Sequence, residues 1–297
     1  MGVILKVMTI QSPVIKILAE ALKDLVSDIN LIFTRKVETV NDKGEKSVTG
    51  GIGAVTMAMA NNVLMHLKLN ADSFDYYECN RDKFVAGINT NILFKVMKTI
   101  NPNDTITFFV DEDDSNKLGI RFENKEKNIV STKKINLMDI DEYKIDIPPS
   151  QFTTCVNMPS NYFNKICRDL NSLADTVEIK NANQQLILTA TGESVSDEIK
   201  IGESENGVNI LTEEGYKNTI FQGKYDIKYL CVFAKCTGLC ANVEIFIKND
   251  YPLVIRYCVA SLGTIYLCLS SKTDPNSLKY DSISESDSDS DSEDYSD

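Results

Sequence analysis

Tryptophan is absent, histidine occurs once, and no apolar run approaches the roughly 18 to 20 residues that a membrane-spanning helix requires. A membrane helix is therefore not expected. The start, Met1-Gly2-Val3-Ile4-Leu5-Lys6, lacks a signal peptide's length and cleavage pattern, and Lys6 stands where N-myristoylation needs Ser or Thr. A soluble intracellular protein is the expectation. Eight cysteines are present without one CxxC pair, and His66 alone cannot furnish a His-containing zinc set. Buried thiols in a reducing compartment fit this usage, since a free cysteine packs as a small hydrophobe.

Catalytic signatures are missing as well: there is no Walker loop, no nucleophile elbow and no metal-spaced acid cluster. Asp111-Glu112-Asp113-Asp114 lacks the glycine and the terminal glutamate of an EF-hand, and it reads as a turn between strands. His66 lies in the alternating run Leu64-Met65-His66-Leu67-Lys68-Leu69, which places it on a strand rather than in a general-base role. Neither enzymatic activity nor a cofactor is expected.

What the chain does contain is enough apolar surface for a core, with 43% hydrophobic and 25% charged residues. Its 297 residues are many for one compact core, so two domains are the natural expectation. Of the net charge of −12, eight units fall on the acids between Asp281 and Asp297, which leaves −4 for the rest. A nearly neutral body excludes a coat of basic charge but leaves room for a basic surface on one face. The tail, residues 273–297, has too little apolar surface to offset the entropy of ordering and reads as disordered. Its serines alternate with acids, a pattern open both to acid-directed phosphorylation and to a plain solubilising role.

Along the body, helices alternate with short strands. Gln11-Ser12-Pro13 opens a helix, with Ser12 as cap and Val14, Ile15, Leu18, Leu22 and Leu25 on its apolar face. A second helix fits Asn91 to Ile100 before Asn101-Pro102, with strands following at 104–110 and 117–122. The order then recurs: Pro159-Ser160 opens a helix through Phe163, Ile166, Leu170 and Leu173, another fits Ile227 to Cys236, and a strand runs from Asn242 to Ile247. With the second helix of each half aligned without a gap, Lys98 falls on Lys235 and Phe109 on Phe246; likewise, between the first helices, Leu22-Lys23-Asp24-Leu25 falls on Cys167-Arg168-Asp169-Leu170. Such self-similarity predicts an internally duplicated fold. The boundaries that follow are a first domain over 1–136, an extended connector over 137–151 ending near Pro148-Pro149, a second domain over 152–272, and the tail. Residues Thr34 to Gly53 read as a long loop within the first half.

Each of the four expected helices carries a basic pair at a spacing of three or seven: Lys16 and Lys23, Lys95 and Lys98, Lys165 and Arg168, Lys228 and Lys235. One such pair would ordinarily be solvation of an exposed face. Four at equivalent places in a duplicated fold point to a basic track that can meet phosphates.

Glu20-Ala21-Leu22-Lys23-Asp24-Leu25, Leu137-Met138-Asp139, Met158-Pro159-Ser160, Ile166-Cys167-Arg168-Asp169-Leu170 and Tyr251-Pro252-Leu253-Val254 resemble, in order, stretches of the eukaryotic proliferating cell nuclear antigen family. The similarity runs from about Val3 to Lys272. It implies an α+β fold of two similar clamp domains per chain, with three chains closing head to tail into a homotrimeric ring, helices lining the channel and antiparallel sheets outside. It further implies a sliding clamp that encircles double-stranded DNA without reading sequence, gives a DNA polymerase processivity in replication and repair, and is opened by a clamp loader. Neither a cofactor nor a membrane partner is implied. By position, Lys16, Lys23, Lys95, Lys98, Lys165, Arg168, Lys228 and Lys235 match the family's channel-facing positions. Met57, Leu64, Ile145, Ile147, Pro148, Pro252, Cys268 and Ser270 match its groove for clamp-interacting peptides. The chain departs from the family at Cys268, where an aromatic is expected, at Ser271, where proline is, at Asn183, in the place of a modifiable lysine, and in the longer loop through Gly44. The implied location is the nucleus, or a cytoplasmic replication factory for a viral protein. A checkpoint-clamp subunit, a monomeric processivity factor and a viral transcription factor of the same fold remain alternatives, separable first by oligomeric mass.

Overall fold

The computed structural model describes residues 2–40, 44, 46–58, 62–142, 152–205, 207–216, 219–249 and 251–272. Ile145, Ile147 and Pro148, with the acidic tail, lie outside the described residues.

In chain order the first half forms β1 (Val3–Thr9), α1 (Ser12–Leu25), β2 (Asp28–Val40), β3 (Lys46–Ala58), β4 (Val63–Asn70), β5 (Tyr76–Cys79), β6 (Lys83–Asn89), α2 (Thr90–Met97), β7 (Thr105–Asp111), β8 (Lys117–Asn124) and β9 (Ile129–Asn136). The second forms β10 (Thr154–Pro159), α3 (Ser160–Asn171), β11 (Thr176–Ala182), β12 (Gln185–Thr191), β13 (Ser196–Ile201), β14 (Asn209–Thr212), β15 (Phe221–Asp226), α4 (Ile227–Phe233), β16 (Asn242–Ile247), β17 (Leu253–Val259) and β18 (Gly263–Leu269). Short 3-10 turns aside, both halves run strand, helix, five strands, helix, three strands, so the sequence duplication is a duplication of structure.

The strands build three antiparallel sheets among the described residues: β5-β1-β7-β8-β9, β13-β12-β11-β15, and a nine-stranded sheet β14-β10-β16-β17-β18-β4-β3-β2-β6. By position in the duplicated order, β14-β10-β16-β17-β18 is the counterpart of the five-stranded sheet, and β4-β3-β2-β6 that of the four-stranded one. The large sheet is therefore two smaller ones fused where β18 pairs with β4, from Gly263 opposite Leu69 to Leu269 opposite Val63. One of its faces carries fully buried Met65, Leu67, Tyr257, Ile255 and Ile265, as the two-residue period of a half-buried strand demands.

The helices form one continuous row, α2-α1-α4-α3, with α1 packed on α2 and on α4, and α3 on α4. Each turns an apolar stripe to the core: Ile15, Leu18, Leu22 and Leu25 from α1, Leu93 and Met97 from α2, Phe163, Ile166 and Leu170 from α3, Leu230 and Phe233 from α4.

Several local expectations are corrected. Ser12 is not a cap but the buried first residue of α1, and its hydroxyl donates to the carbonyls of Asn101 and Pro102 at 3.2 and 2.9 Å. Asn89 caps α2 instead, its side-chain oxygen accepting from the Ile92 N–H at 3.1 Å, and the helix ends at Met97 rather than Ile100. α4 also stops early, at Phe233, and Ala234–Leu239 is a 3-10 turn, so Lys235 is not on the α-helix that carries Lys228. Residues 34–40 and 46–53 are strand rather than loop. β2 passes its last β6 partner at Thr34 and β3 meets its first β4 partner at Gly51, while Val37 to Val40 still pair with Thr49 to Lys46. A two-stranded ribbon thus projects beyond the sheet, where its counterpart β11–β12 closes at once through Asn183 and Gln184, both at positive φ.

The connector is extended where it is described. Met138 bridges to Gly87 at the β6 edge, its N–H donating at 2.8 Å, and the Asn30 side-chain amide donates to the Ile140 carbonyl at 2.9 Å. Only glycine admits this approach, because a Cβ at position 87 would lie 2.2 Å from the Met138 carbonyl oxygen. Gly87→Ala is expected to lift the connector from β6 at a cost of about 1–3 kcal/mol, seen as a lower unfolding midpoint and faster proteolysis near Met138. Unchanged cleavage would contradict this anchoring.

Candidate nucleic-acid interface

The apolar stripes of the four helices turn to the core, which leaves the remaining helix positions for the opposite side. None of the eight basic residues singled out in the sequence is buried: Lys16 and Lys23 are half-buried, and Lys95, Lys98, Lys165, Arg168, Lys228 and Lys235 are exposed. Because α2, α1, α4 and α3 stand in one row, the structure carries these groups on one helical layer that spans both halves of the chain. Lys228 lies over the Tyr229 ring at 4.8 Å and Lys23 over the Phe94 ring at 4.7 Å, contacts that hold the flexible amines in place. Lys127 stands apart, in the turn between β8 and β9, where its N–H donates to Asn124.

Among the described residues, one acid of this layer pairs with two of these lysines. The Asp24 carboxylate sits 2.9 Å from the Lys23 ammonium and 2.8 Å from that of Lys235, and so ties α1 of the first half to the 3-10 turn of the second. Burial acts to raise its pKa, but the hydrogen bonds and charges of Lys235 and Lys23 outweigh this and hold the carboxyl below its usual value. Sequence reading misses this bridge because Asp24 and Lys235 are 211 residues apart. The only signal is the internal repeat of Leu22-Lys23-Asp24-Leu25.

The remaining titratable groups offer no rival site. Among the described residues no group of three or more His, Cys, Asp or Glu could hold a metal ion. All eight cysteines are free, and burial raises the pKa of Cys167, Cys231, Cys236 and Cys268, which keeps them as thiols. His66 is half-buried and stacks on Tyr266 at 5.9 Å; burial, aided by Lys68, lowers its pKa and keeps it neutral.

Two family models, described as the N-terminal and C-terminal domains of proliferating cell nuclear antigen, match residues 4–144 and 146–272. The chain belongs to the proliferating cell nuclear antigen family. It is 30% identical over 268 residues to a probable DNA polymerase sliding clamp 1 of Paramecium bursaria Chlorella virus 1, across 89% of this chain and 95% of that protein. It is 29% identical, over an aligned length of 298, to a probable DNA polymerase sliding clamp of Acanthamoeba polyphaga mimivirus, across 90% of this chain and 62% of that protein.

Of the residues expected at the family's peptide groove, Met57, Leu64 and Cys268 lie on the face of the nine-stranded sheet away from the buried one. Register places Met57, Leu64, Cys268, Val254, Phe246, Cys155 and Leu211 in one cross-strand row. Leu64 is only 3% exposed and forms floor rather than rim. Cys268 is half-buried beside it, and burial pushes its thiol up to about 12. Ser270 is tied to the start of β4, its N–H donating to the Asn62 carbonyl at 3.1 Å. An aromatic cluster absent from the sequence-based set adjoins the row: Phe152 meets Phe246 at 5.2 Å and Tyr251, next to Pro252, at 5.4 Å. These rings supply apolar surface near the place where Cys268 gives up an aromatic.

Proposed function

We propose that this chain is a DNA polymerase processivity factor, three copies of which close head to tail into a ring that encircles duplex DNA. The observation that carries the reading is the fused sheet. Within one chain, β18 of the second half pairs with β4 of the first. Their counterparts in the duplicated order, β9 and β13, are unpaired edges among the described residues, each at the end of its own sheet. Joining β9 of one copy to β13 of the next repeats the joint already made inside each chain, and it also brings α3 against the neighbour's α2 as α1 stands against α4. β9 presents Ile129 and Val130 at 55% and 63% exposure, which suits an edge that is covered on assembly.

In such a ring the eight basic residues face phosphates without reading bases, as sliding requires. The family's activity is tethering, and this reading assigns no catalysis to the chain; loading is the work of a separate loader. The viral sources of its relatives fit a replication setting, in the nucleus or in a cytoplasmic factory. The domain boundaries follow those of the sequence, 1–136 and 152–272 on either side of the connector. Light scattering of the purified chain tests the assembly, since a mass of 33.2 kDa would mean a monomer and would contradict the ring.

The groove is the docking site in this reading, formed by Met57, Leu64, Pro252, Cys268 and Ser270 with Ile145, Ile147 and Pro148 of the connector. Ile147→Ser is expected to weaken a clamp-interacting peptide about tenfold or more in calorimetry while the assembly persists. Equal affinity would remove the groove assignment.

A further inference from the structure

The bridge from Asp24 to two of the basic residues has an electrostatic meaning beyond joining the domains. We propose that Asp24 is a built-in counter-ion that holds Lys23 and Lys235 partly neutralised, so that the helical layer grips DNA less tightly than its lysine count allows.

The three charges sit together at the junction of the halves. Both carboxylate oxygens are engaged, one with each ammonium, and the side chains of Lys23, Asp24 and Lys235 are 26%, 19% and 54% exposed. Asp24 is the most enclosed of the three, while Lys235 remains open to a ligand. A phosphate that approaches either lysine meets the field of a carboxylate within 3 Å of the amine. It must displace or share that carboxylate, so one of the two positive charges is already answered within the protein. Counter-ion release on DNA binding falls accordingly, because an ammonium neutralised from inside condenses fewer ions for the DNA to set free. The duplicated counterpart differs. Asp169 follows Arg168 as Asp24 follows Lys23, yet among the described residues it makes no ion pair, and Lys98, the counterpart of Lys235, makes none either. The brake is thus complete inside a single chain at one joint only. Because ion pairs that remain partly open to solvent contribute little to stability, its removal should leave the fold intact.

The inference rests on the reading of Lys23 and Lys235 as phosphate-binding groups, and the experiment separates the two. Full-length protein is titrated with a short fluorescent duplex by anisotropy across a salt series. Asp24→Asn is expected to steepen the slope of log affinity against log salt by about 0.9 per engaged site, which makes binding about eightfold tighter at 0.1 M salt and convergent with the native protein towards 1 M. Asp24→Glu keeps the native slope. Asp24→Asn with Lys235→Gln restores the charge count and returns the slope to the native value, which also guards against a folding defect in the single variant. An Asp24→Asn slope equal to or flatter than native overturns the brake. If Lys23→Gln with Lys235→Gln also leaves the slope unchanged, the phosphate-binding role itself is overturned; if that variant flattens it, the brake alone fails.

Discussion

Replacing Lys23, Lys98, Arg168 and Lys235 together by Glu is expected to abolish stimulation of the polymerase and to leave no clamp on circular DNA, while the far-ultraviolet spectrum stays native. Lys23 lies on α1 and Arg168 on α3, Lys98 caps the end of α2 and Lys235 lies in the 3-10 turn after α4, and none of the four side chains is buried. Among the described residues the ion pairs removed are those to Asp24, and exposed pairs of this kind carry about 0–1 kcal/mol each, so the core should not feel the change. DNA association should feel it strongly, since every phosphate left without its cation flattens the salt slope by about 0.9 and each reversed charge also repels. Encirclement adds a topological requirement that surface binding lacks. Native protein loaded on a nicked circle should survive a high-salt wash and then escape once the circle is cut. Equal retention on circular and linearised DNA would leave at most a protein that binds the outside of DNA.

Val130→Lys should convert the assembly to a 33.2 kDa monomer. Val130 lies on β9, the free edge of the five-stranded sheet, and is 63% exposed in the single chain. A lysine there opposes pairing with a further strand, as it does on natural sheet edges. A second route to the same joint runs through the helices. Since Asp24 pairs with Lys235 inside the chain, equivalence in the proposed ring would pair Asp169 with Lys98 of the next copy. Asp169→Lys should weaken assembly, and adding Lys98→Asp in the same chain should restore it, with light scattering as the readout. A Val130→Lys protein of undiminished mass would place the joint elsewhere, and an uncorrected Asp169→Lys defect would dissolve the proposed pair.

What the sequence discloses depends on how local each signal is. The apolar period of α1, the start of α3 at Ser160 and the repeated order of elements follow from neighbours within a few residues, and they are legible. Ser12 has the type and place of a cap; the carbonyls of Asn101 and Pro102, which come close only in the folded chain, take its hydroxyl instead. Spacing alone puts Lys235 on a helix, but Ala234–Leu239 tightens to a 3-10 turn, where Ser160 accepts from the Thr237 hydroxyl and donates to the Cys240 carbonyl. The polar, glycine-bearing stretch between Thr34 and Gly53 has the composition of a loop, whereas β-branched Val37, Val40, Val48 and Thr49 pair across a ribbon. The basic residues can be picked out by type, yet their alignment on one layer needs the helix row, and the Asp24 bridge needs the fold itself.

The ribbon of β2 and β3 also marks where the chain can be lengthened by design. Its base is fixed: the Tyr77 hydroxyl donates to the carbonyls of Thr34 and Gly51, and Gly51, at φ 140°, leaves only 2.0 Å between a would-be Cβ and the Leu69 carbonyl oxygen. Just past that base Arg35 still donates from its N–H to the Asp82 carbonyl and from its guanidinium to the Asn80 carbonyl; from Val37 to Val40 the described residues pair across the ribbon, and neither β6 nor β4 accompanies them. A fluorophore-bearing or affinity peptide spliced between Val40 and Lys46 would therefore ride on a stalk of about 20 Å, clear of the β18 to β4 junction and of both open edges. The counterpart hairpin, closed by Asn183 and Gln184, offers no such stalk, so a tag in the first half marks one end of each chain and gives a single-molecule observer a fixed polarity to follow.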